Sequence, residues 1–184
     1  QIISYLKSGE VDLDKVGIFM SQTGGGCRAS NYVSLLRKAL KDMGMEQIPV
    51  ISVNMAGLEK NPGFSLSLGV IKRGLMAVMY GDLFMRVLYA TRPYEKEPGS
   101  ANHLYEKCCR EADDIIARGS MRAFSRSMED IVREFDKLPL LDIKKPKVGI
   151  VGEILVKYHP NANNDVVSIV ENEGGEAVVL DLTD

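Results

Sequence analysis

The sequence predicts an α/β fold: two βαβ units with parallel strands, of the Rossmann-like or flavodoxin-like kind, separated by a helical block. The first unit is expected in 16–54, where an apolar run, a glycine-rich loop, an amphipathic segment and a β-branched run follow one another. A second strand, loop, helix and strand are expected in 147–182. Such alternation of strands with helices favours parallel pairing, because each helix returns the chain to the same end of the sheet.

Turn and helix-end signals divide the first unit into separate elements. Residues 1–15 are interpreted as the end of an earlier element and a turn, and 16–20 as the first strand. A helix follows, with its apolar positions on one face and Gly44 at its end; those positions are Tyr32, Leu35, Leu36, Ala39, Leu40 and Met43. The second strand is expected at 48–53, followed by a loop at 55–63 that contains Asn-Pro-Gly.

The middle of the chain reads as helical. Residues 65–90 predict a buried helix, with a possible break at Gly81-Asp82, whose inward face holds Leu68, Ile71, Leu75, Val78 and Met79. Four charged residues interrupt this apolar stretch, which excludes a membrane span because charges at a bilayer centre are costly. Ser100 and Ser120 are expected to cap two further helices.

The last part predicts the second βαβ unit. A proline-containing linker at 138–146 precedes a strand at 147–152, a polar loop at 153–161, a short helix capped by Asn163, and a strand at 177–182. The expected division is therefore 1–64, 65–140 and 141–184, with a single composite domain as the alternative.

Composition narrows the function classes. Hydrophobic residues make up 45%, charged residues 26% and aromatic residues 7%, with a net charge of -2. This balance argues against a nucleic-acid surface. Three cysteines, two of them adjacent, favour a reducing, cytoplasmic compartment over a disulfide framework. The chain begins at Gln1 and its last predicted strand runs almost to Asp184, so we expect a piece excised from a longer protein.

The glycine loop is the first candidate site. Gly24, Gly25 and Gly26 open a G-x-G-x-x-A pattern, in which glycines let the backbone approach a phosphate at a helix amino end. A nicotinamide cofactor is disfavoured, because the second strand ends in Ser-Val-Asn where the fingerprint requires an acid. A tight turn that needs glycine conformations is the alternative.

Cys27 lies in the same loop, beside Arg28. A thiol at a helix amino end next to a cation has its thiolate form favoured, which suits a nucleophile or a metal ligand. No histidine or acid in the loop offers a base, so the nucleophile is the weaker alternative, and a small apolar loop residue is a third. Cys108 and Cys109 are adjacent on a predicted helix and point in different directions, which favours core packing for at least one of them.

The polar loop after the KVGIVG strand is the second candidate site. It contains Glu153 and His159, which we single out as candidate cofactor contacts because loops at strand carboxyl ends often hold ligands. A solvated loop is the alternative. If both units join one sheet, the loops at 21–27 and 152–161 face one crevice.

Several separated segments together resemble a known family. These are FMSQTGGGCRASNY, GLEKNPGF, MYGDLFMRVLYATRPYE and KVGIVGEILVKYHPNANNDVV. They are similar to the large proteins related to 2-hydroxyacyl-CoA dehydratase and its ATP-dependent activase. The resemblance implies a dehydratase-like α/β module of an iron–sulfur protein, acting in ATP-driven, low-potential electron transfer to acyl-CoA dehydration in anaerobic metabolism.

The resemblance implies functional roles for only a few residues of this sequence. The GGGCR stretch corresponds to the family's Gly/Pro-Cys-Arg loop, which implies that Cys27 is a ligand of a 4Fe-4S cluster whose surroundings Arg28 and the glycines shape. The other cluster cysteines are not matched, and there is no activase-type phosphate loop. The implied partners are the remaining modules of a parent chain, including ATPase-like activase domains, and an acyl-CoA. The alternative is a non-catalytic module that binds a small anion, a CoA-type ligand or a partner domain at its glycine loop.

Overall fold

The structure is a computed structural model that describes residues 2–22, 30–54 and 67–182. The chain forms two compact units, Gln1–Ser65 and Leu66–Asp184, and each is described by itself. Each unit contains a short two-stranded parallel sheet and helices. The expected mixture of helices and parallel strands is confirmed at this level.

The first unit contains two parallel strands and two helices. Its elements are α1 (Ile2–Lys7), β1 (Ile18–Gln22), α2 (Tyr32–Asp42) and β2 (Val50–Asn54). The register runs from Ile18 opposite Val50 to Gln22 opposite Asn54. The strands begin two residues later than the apolar runs predict. The ladder starts where the Ile18 amide donates to the Pro49 carbonyl at 2.9 Å, and Pro49 itself has no N–H to contribute.

The buried face of α2 agrees with the predicted one at Leu36 and Leu40 but differs from it at other positions. Val33, Leu36 and Leu40 are buried, at spacings of three and four residues, and pack against Ile18 and Val50. Leu35, expected inside, is 59% exposed, and Met43 is also exposed. The prediction missed Val33 because Tyr32, Leu35 and Met43 offered an equally regular apolar stripe. Gly44, with a φ of 69°, ends the helix as predicted.

The helices of the second unit form the larger core. They are α3 (Leu68–Thr91), a 3-10 turn at Arg92–Tyr94, α4 (Ser100–Arg118) and α5 (Met121–Asp136). α3 runs without a break through Gly81-Asp82, so that predicted break is wrong. An interior glycine costs a helix only about 1 kcal/mol and does not interrupt its hydrogen bonds.

The predicted inward face of α3 is also wrong. Its buried apolar residues are Met76, Tyr80, Phe84 and Leu88, one helical turn apart, whereas Leu68, Ile71, Leu75, Val78 and Met79 are exposed. Aromatic contacts fix this orientation. Tyr80 meets the ring of Phe124 edge-on at 4.9 Å, and Phe84 meets Tyr105 edge-on at 5.5 Å.

Capping of the other two helices is partly as predicted. Ser120 caps α5, since its hydroxyl accepts a hydrogen bond from the Ala123 amide at 3.3 Å. Ser100 is the first residue of α4 and does not cap the helix. The Glu95 carboxylate takes that role, accepting hydrogen bonds from the amides of Gly99 at 2.6 Å and Ala101 at 2.9 Å. A carboxylate at this end is stabilised by the helix dipole.

The remaining elements are β3 (Lys147–Ile150), α6 (Ile154–Tyr158), α7 (Val166–Asn172) and β4 (Glu176–Val179). β3 and β4 are parallel, from Lys147 opposite Glu176 to Ile150 opposite Val179. α6 occupies the stretch predicted as a polar loop. The N-cap of α7 is Asp165 and not the predicted Asn163, although the Asn163 side chain accepts a hydrogen bond from the Val166 amide at 3.3 Å. No helix in the described ranges is long and apolar enough to cross a membrane.

Candidate functional site

The carboxyl ends of β1 and β2 define one edge of the first sheet. Gln22 and Asn54 end the two strands and are register partners. The two strands therefore end at the same edge of the sheet, which is the edge where parallel sheets commonly bind ligands. The predicted site residues Gly24, Gly25, Gly26, Cys27 and Arg28 follow β1 in sequence and lie outside the described residues.

The helix that follows them presents a polar amino end. α2 begins at Tyr32, and its N-cap residue Asn31 makes no side-chain capping hydrogen bond. Its first turn contains no acidic residue. The leading amides of a helix lack intrahelical partners and carry a partial positive charge, which attracts anions. The first turn of α2 therefore places no carboxylate that would repel an anion at this helix end.

Ser52 is a polar residue near this edge that the sequence did not single out. It is 2% exposed, and its hydroxyl oxygen is buried without a hydrogen-bond partner among the described residues. Such a buried, unpartnered hydroxyl is unusual in a strand. In the sequence, Ser52 is recognisable only as a short polar residue within a β-branched run. That pattern does not show whether the serine is buried or exposed.

The two cysteines of α4 have the properties of core residues. Cys108 is buried and Cys109 half-buried. Burial raises the pKa of the Cys108 thiol, and the Glu111 carboxylate adds to the rise. Burial also raises the pKa of Cys109, although a hydrogen bond from Tyr105 opposes it. That same bond, with burial, raises the pKa of the Tyr105 hydroxyl to about 12. Both thiols therefore remain protonated at neutral pH.

Glu153 and His159 lie at the two ends of α6, directly after β3. Each has one side-chain atom, Oε1 of Glu153 and Nδ1 of His159, that is buried without a hydrogen-bond partner in the described part of the chain. The Glu153 carbonyl accepts the amide of Lys157 in α6 at 2.7 Å, and the His159 carbonyl accepts the amide of Ala162 in the following turn at 2.9 Å. The structure thus brings these two candidates to opposite ends of one five-residue helix.

The segments after β3 and β4 are joined by hydrogen bonds. The Lys157 ammonium and the Tyr158 hydroxyl both donate to the Leu180 carbonyl, at 3.1 and 2.6 Å. The buried Asp82 carboxylate of α3 accepts the Leu182 amide at 3.0 Å. These contacts bind α6 and α3 to the end of β4, so these polar groups serve the structure of this edge.

No metal site is assembled among the described residues, which contain no group of three or more His, Cys, Asp or Glu side chains arranged to hold an ion. Comparison of the chain with protein-family models, with curated proteins and with solved structures gives no match. The sequence has three glycines, a thiol and a guanidinium before α2, and the structure has two polar side chains at the ends of α6.

Proposed function

We propose that this chain is a dehydratase-like module of an iron–sulfur protein in which Cys27 supplies one thiolate to a 4Fe-4S cluster. The observation that carries the proposal is the parallel pairing of β1 with β2, whose carboxyl ends lie at one edge of the sheet. In a Rossmann-like arrangement that edge is the ligand crevice. The proposed parent protein acts in ATP-driven electron transfer to acyl-CoA dehydration, in a reducing, cytoplasmic compartment.

The environment expected for Cys27 favours its thiolate. The α2 amino end has no acidic residue in its first turn, and Arg28 adds a cation next to the thiol in sequence. Both effects lower the pKa of a cysteine, and the thiolate is the form that binds iron.

The chain does not fit a complete cluster by itself. A 4Fe-4S cluster is ordinarily held by about four cysteine thiolates, whereas this sequence has three cysteines. Burial raises the pKa of both α4 thiols, and these adjacent helical residues point in different directions. The remaining ligands therefore belong to other modules, such as the proposed ATPase-like partners. No catalytic step is assigned to this chain.

The test is the iron and acid-labile sulfide content of the protein purified in its native assembly without oxygen. We expect Cys27→Ser to lose most of the iron and sulfide, because serine replaces the ligand, whereas Cys109→Ser retains both. Equal iron in the wild type and Cys27→Ser would contradict the proposal, as would absence of iron from the wild type.

A second candidate function is favoured by the uncapped amino end of α2. A module that binds a small anion or the phosphates of a CoA-type ligand at its glycine loop would use the same backbone amides without the thiol. It predicts that phosphate or CoA binds Cys27→Ser as tightly as the wild type, without iron in either. Calorimetric titration of both proteins with CoA distinguishes the two functions.

A further inference from the structure

The Ser52 side chain faces the helix that follows β1. Successive side chains of a strand point to opposite faces of the sheet, so Ser52 and Val50 of β2 share one face. Val50 packs in one buried cluster with Val33 and Leu36, which places α2 on that face. The Ser52 hydroxyl therefore points towards α2, and it is buried there without a hydrogen-bond partner among the described residues.

The direction of α2 brings its amino end beside Ser52. A short turn at 43–49 leads from α2 directly into β2, so the helix and the strand run in opposite directions. The Arg37 guanidinium donates to the Val50 carbonyl at 3.1 Å, which places this part of the helix near Val50. Val33 lies about 6 Å before Arg37 along the helix, and Ser52 lies about 7 Å beyond Val50 along the strand. The hydroxyl therefore faces the first turn of α2.

The first turn of α2 has free backbone donors. The leading N–H groups of an α-helix have no intrahelical carbonyl to bind. The Leu35 amide donates to the Asn31 carbonyl at 2.9 Å. The amides of Tyr32, Val33 and Ser34 have no partner in the described ranges, and the Asn31 side chain makes no capping hydrogen bond. Three amides and one hydroxyl are thus available at this end of the helix.

The described carboxylates of the first unit lie at the other end of its sheet. They precede β1 or lie between the last residues of α2 and β2, and they belong to Glu10, Asp12, Asp14, Asp42 and Glu46. Asp14 lines one cavity with Gln47 and Pro49, so both stretches lie where the strands begin. An anion at the opposite edge, beside the amino end of α2, is attracted by the helix dipole and not repelled by these acids.

We propose that the Ser52 hydroxyl and the free amides of the first turn of α2 bind a phosphate group. The proposal rests on the second candidate function, anion binding at the α2 amino end, and adds the ligand class and the side chain that holds the ligand. Phosphate offers three strongly accepting oxygens to the hydroxyl and the three amides, whereas a carboxylate offers two. A hydrogen bond to a charged oxygen also explains a buried hydroxyl that destabilises the protein when it is unpaired.

Calorimetric titration of the full chain with inorganic phosphate tests the role of Ser52. We expect Ser52→Ala to raise the dissociation constant at least about tenfold, because it removes a hydrogen bond to a charged oxygen. Ser4→Ala, at an exposed position of α1, is the matched control and should leave the constant unchanged. Acetate should bind the wild type more weakly than phosphate, and equal affinity for the two would overturn the ligand class.

The two possible failures are distinguishable. Equal phosphate affinity in Ser52→Ala and the wild type would overturn this proposal alone. A wild type that binds no phosphate would overturn the second candidate function with it.

Thermal unfolding separates a binding role of Ser52 from a structural one. Without phosphate, the midpoint temperature of Ser52→Ala should equal or exceed that of the wild type, because a methyl group replaces an unpaired buried hydroxyl. Added phosphate should raise the midpoint of the wild type more than that of the variant. A lower midpoint for the ligand-free variant would show that the hydroxyl binds a group of the protein itself, and would overturn the proposal.

Amide resonances of the wild type locate the ligand without any variant. The Tyr32, Val33 and Ser34 amides should move downfield as phosphate is added, because each donates to a charged oxygen. The Ile48 and Val50 amides, at the other end of the unit, should not move. Phosphate that binds without moving the three amides of the first turn would overturn the proposal.

Discussion

Tyr80→Ala is expected to lower the free energy of unfolding of the Leu66–Asp184 unit by about 3–5 kcal/mol, the range for removing a buried aromatic ring. Tyr80 is 2% exposed and lies at the centre of the larger core. Its ring stacks on Phe84 with centroids 5.8 Å apart and meets Phe124 edge-on. The truncation therefore leaves a cavity between three helices. Urea unfolding, followed by circular dichroism, gives the change directly.

Two controls make the result specific. Met79→Ala alters the neighbouring residue of α3, which is 43% exposed although the sequence predicts it inside, and should cost about 1 kcal/mol or less. Tyr80→Phe keeps the ring and should change stability by less than about 1 kcal/mol. Its hydroxyl makes no hydrogen bond of good geometry, although Ser127 is close enough to oppose the rise in pKa that burial causes. A large loss for Met79→Ala, with none for Tyr80→Ala, would reverse the assigned face of α3.

Arg92→Leu is expected to destabilise the same unit by about 3 kcal/mol, because it leaves a carboxylate without its partner in a largely buried position. The Arg92 guanidinium binds both oxygens of Glu171, at 2.8 and 2.9 Å. It also lies 5.4 Å from the centre of the Tyr89 ring. These contacts connect the end of α3 to α7, so their loss should weaken the attachment of α7 to the helices. The unfolding free energy in urea measures the effect.

A double-mutant cycle isolates the ion pair. Glu171→Leu combined with Arg92→Leu removes both charges and should recover a large part of the loss, since no unpaired charge remains. Arg92→Lys should recover little, because an ammonium does not reproduce the two parallel hydrogen bonds of a guanidinium. Strictly additive single and double variants would show that the contact contributes nothing as a pair.

The parallel strands and most of the helix ends follow from local sequence signals. β-branched runs favour strands, Gly44 favours the conformation that ends a helix, and Ser120 favours the position before a helix. The structure has each of them in the favoured conformation. The buried faces were harder to predict. α3 is apolar around much of its surface, so its periodicity offers several stripes, and contacts with distant Phe124 and Tyr105 select the one through Tyr80.

The sequence predicts the surroundings of the candidate site more completely at the β1–β2 sheet than at the β3–β4 sheet. The position of the glycine loop after a parallel strand follows from the order of elements, and β1 and β2 pair as that order requires. α6 was missed because its five residues, ILVKY, are too few to show helical periodicity. The capping role of Glu95 was also missed, because the carboxylate reaches α4 from a preceding turn that no local pattern specifies.

We propose that Cys27, and neither cysteine of α4, binds iron. Differential alkylation of the native protein, purified without oxygen, tests it most directly. Cys27 should resist iodoacetamide until a chelator removes the iron, and then react quickly as an accessible thiolate, whereas Cys108 and Cys109 should react slowly in both states because burial raises their pKa values. Alkylation of Cys27 at the same rate before and after chelation would contradict the claim.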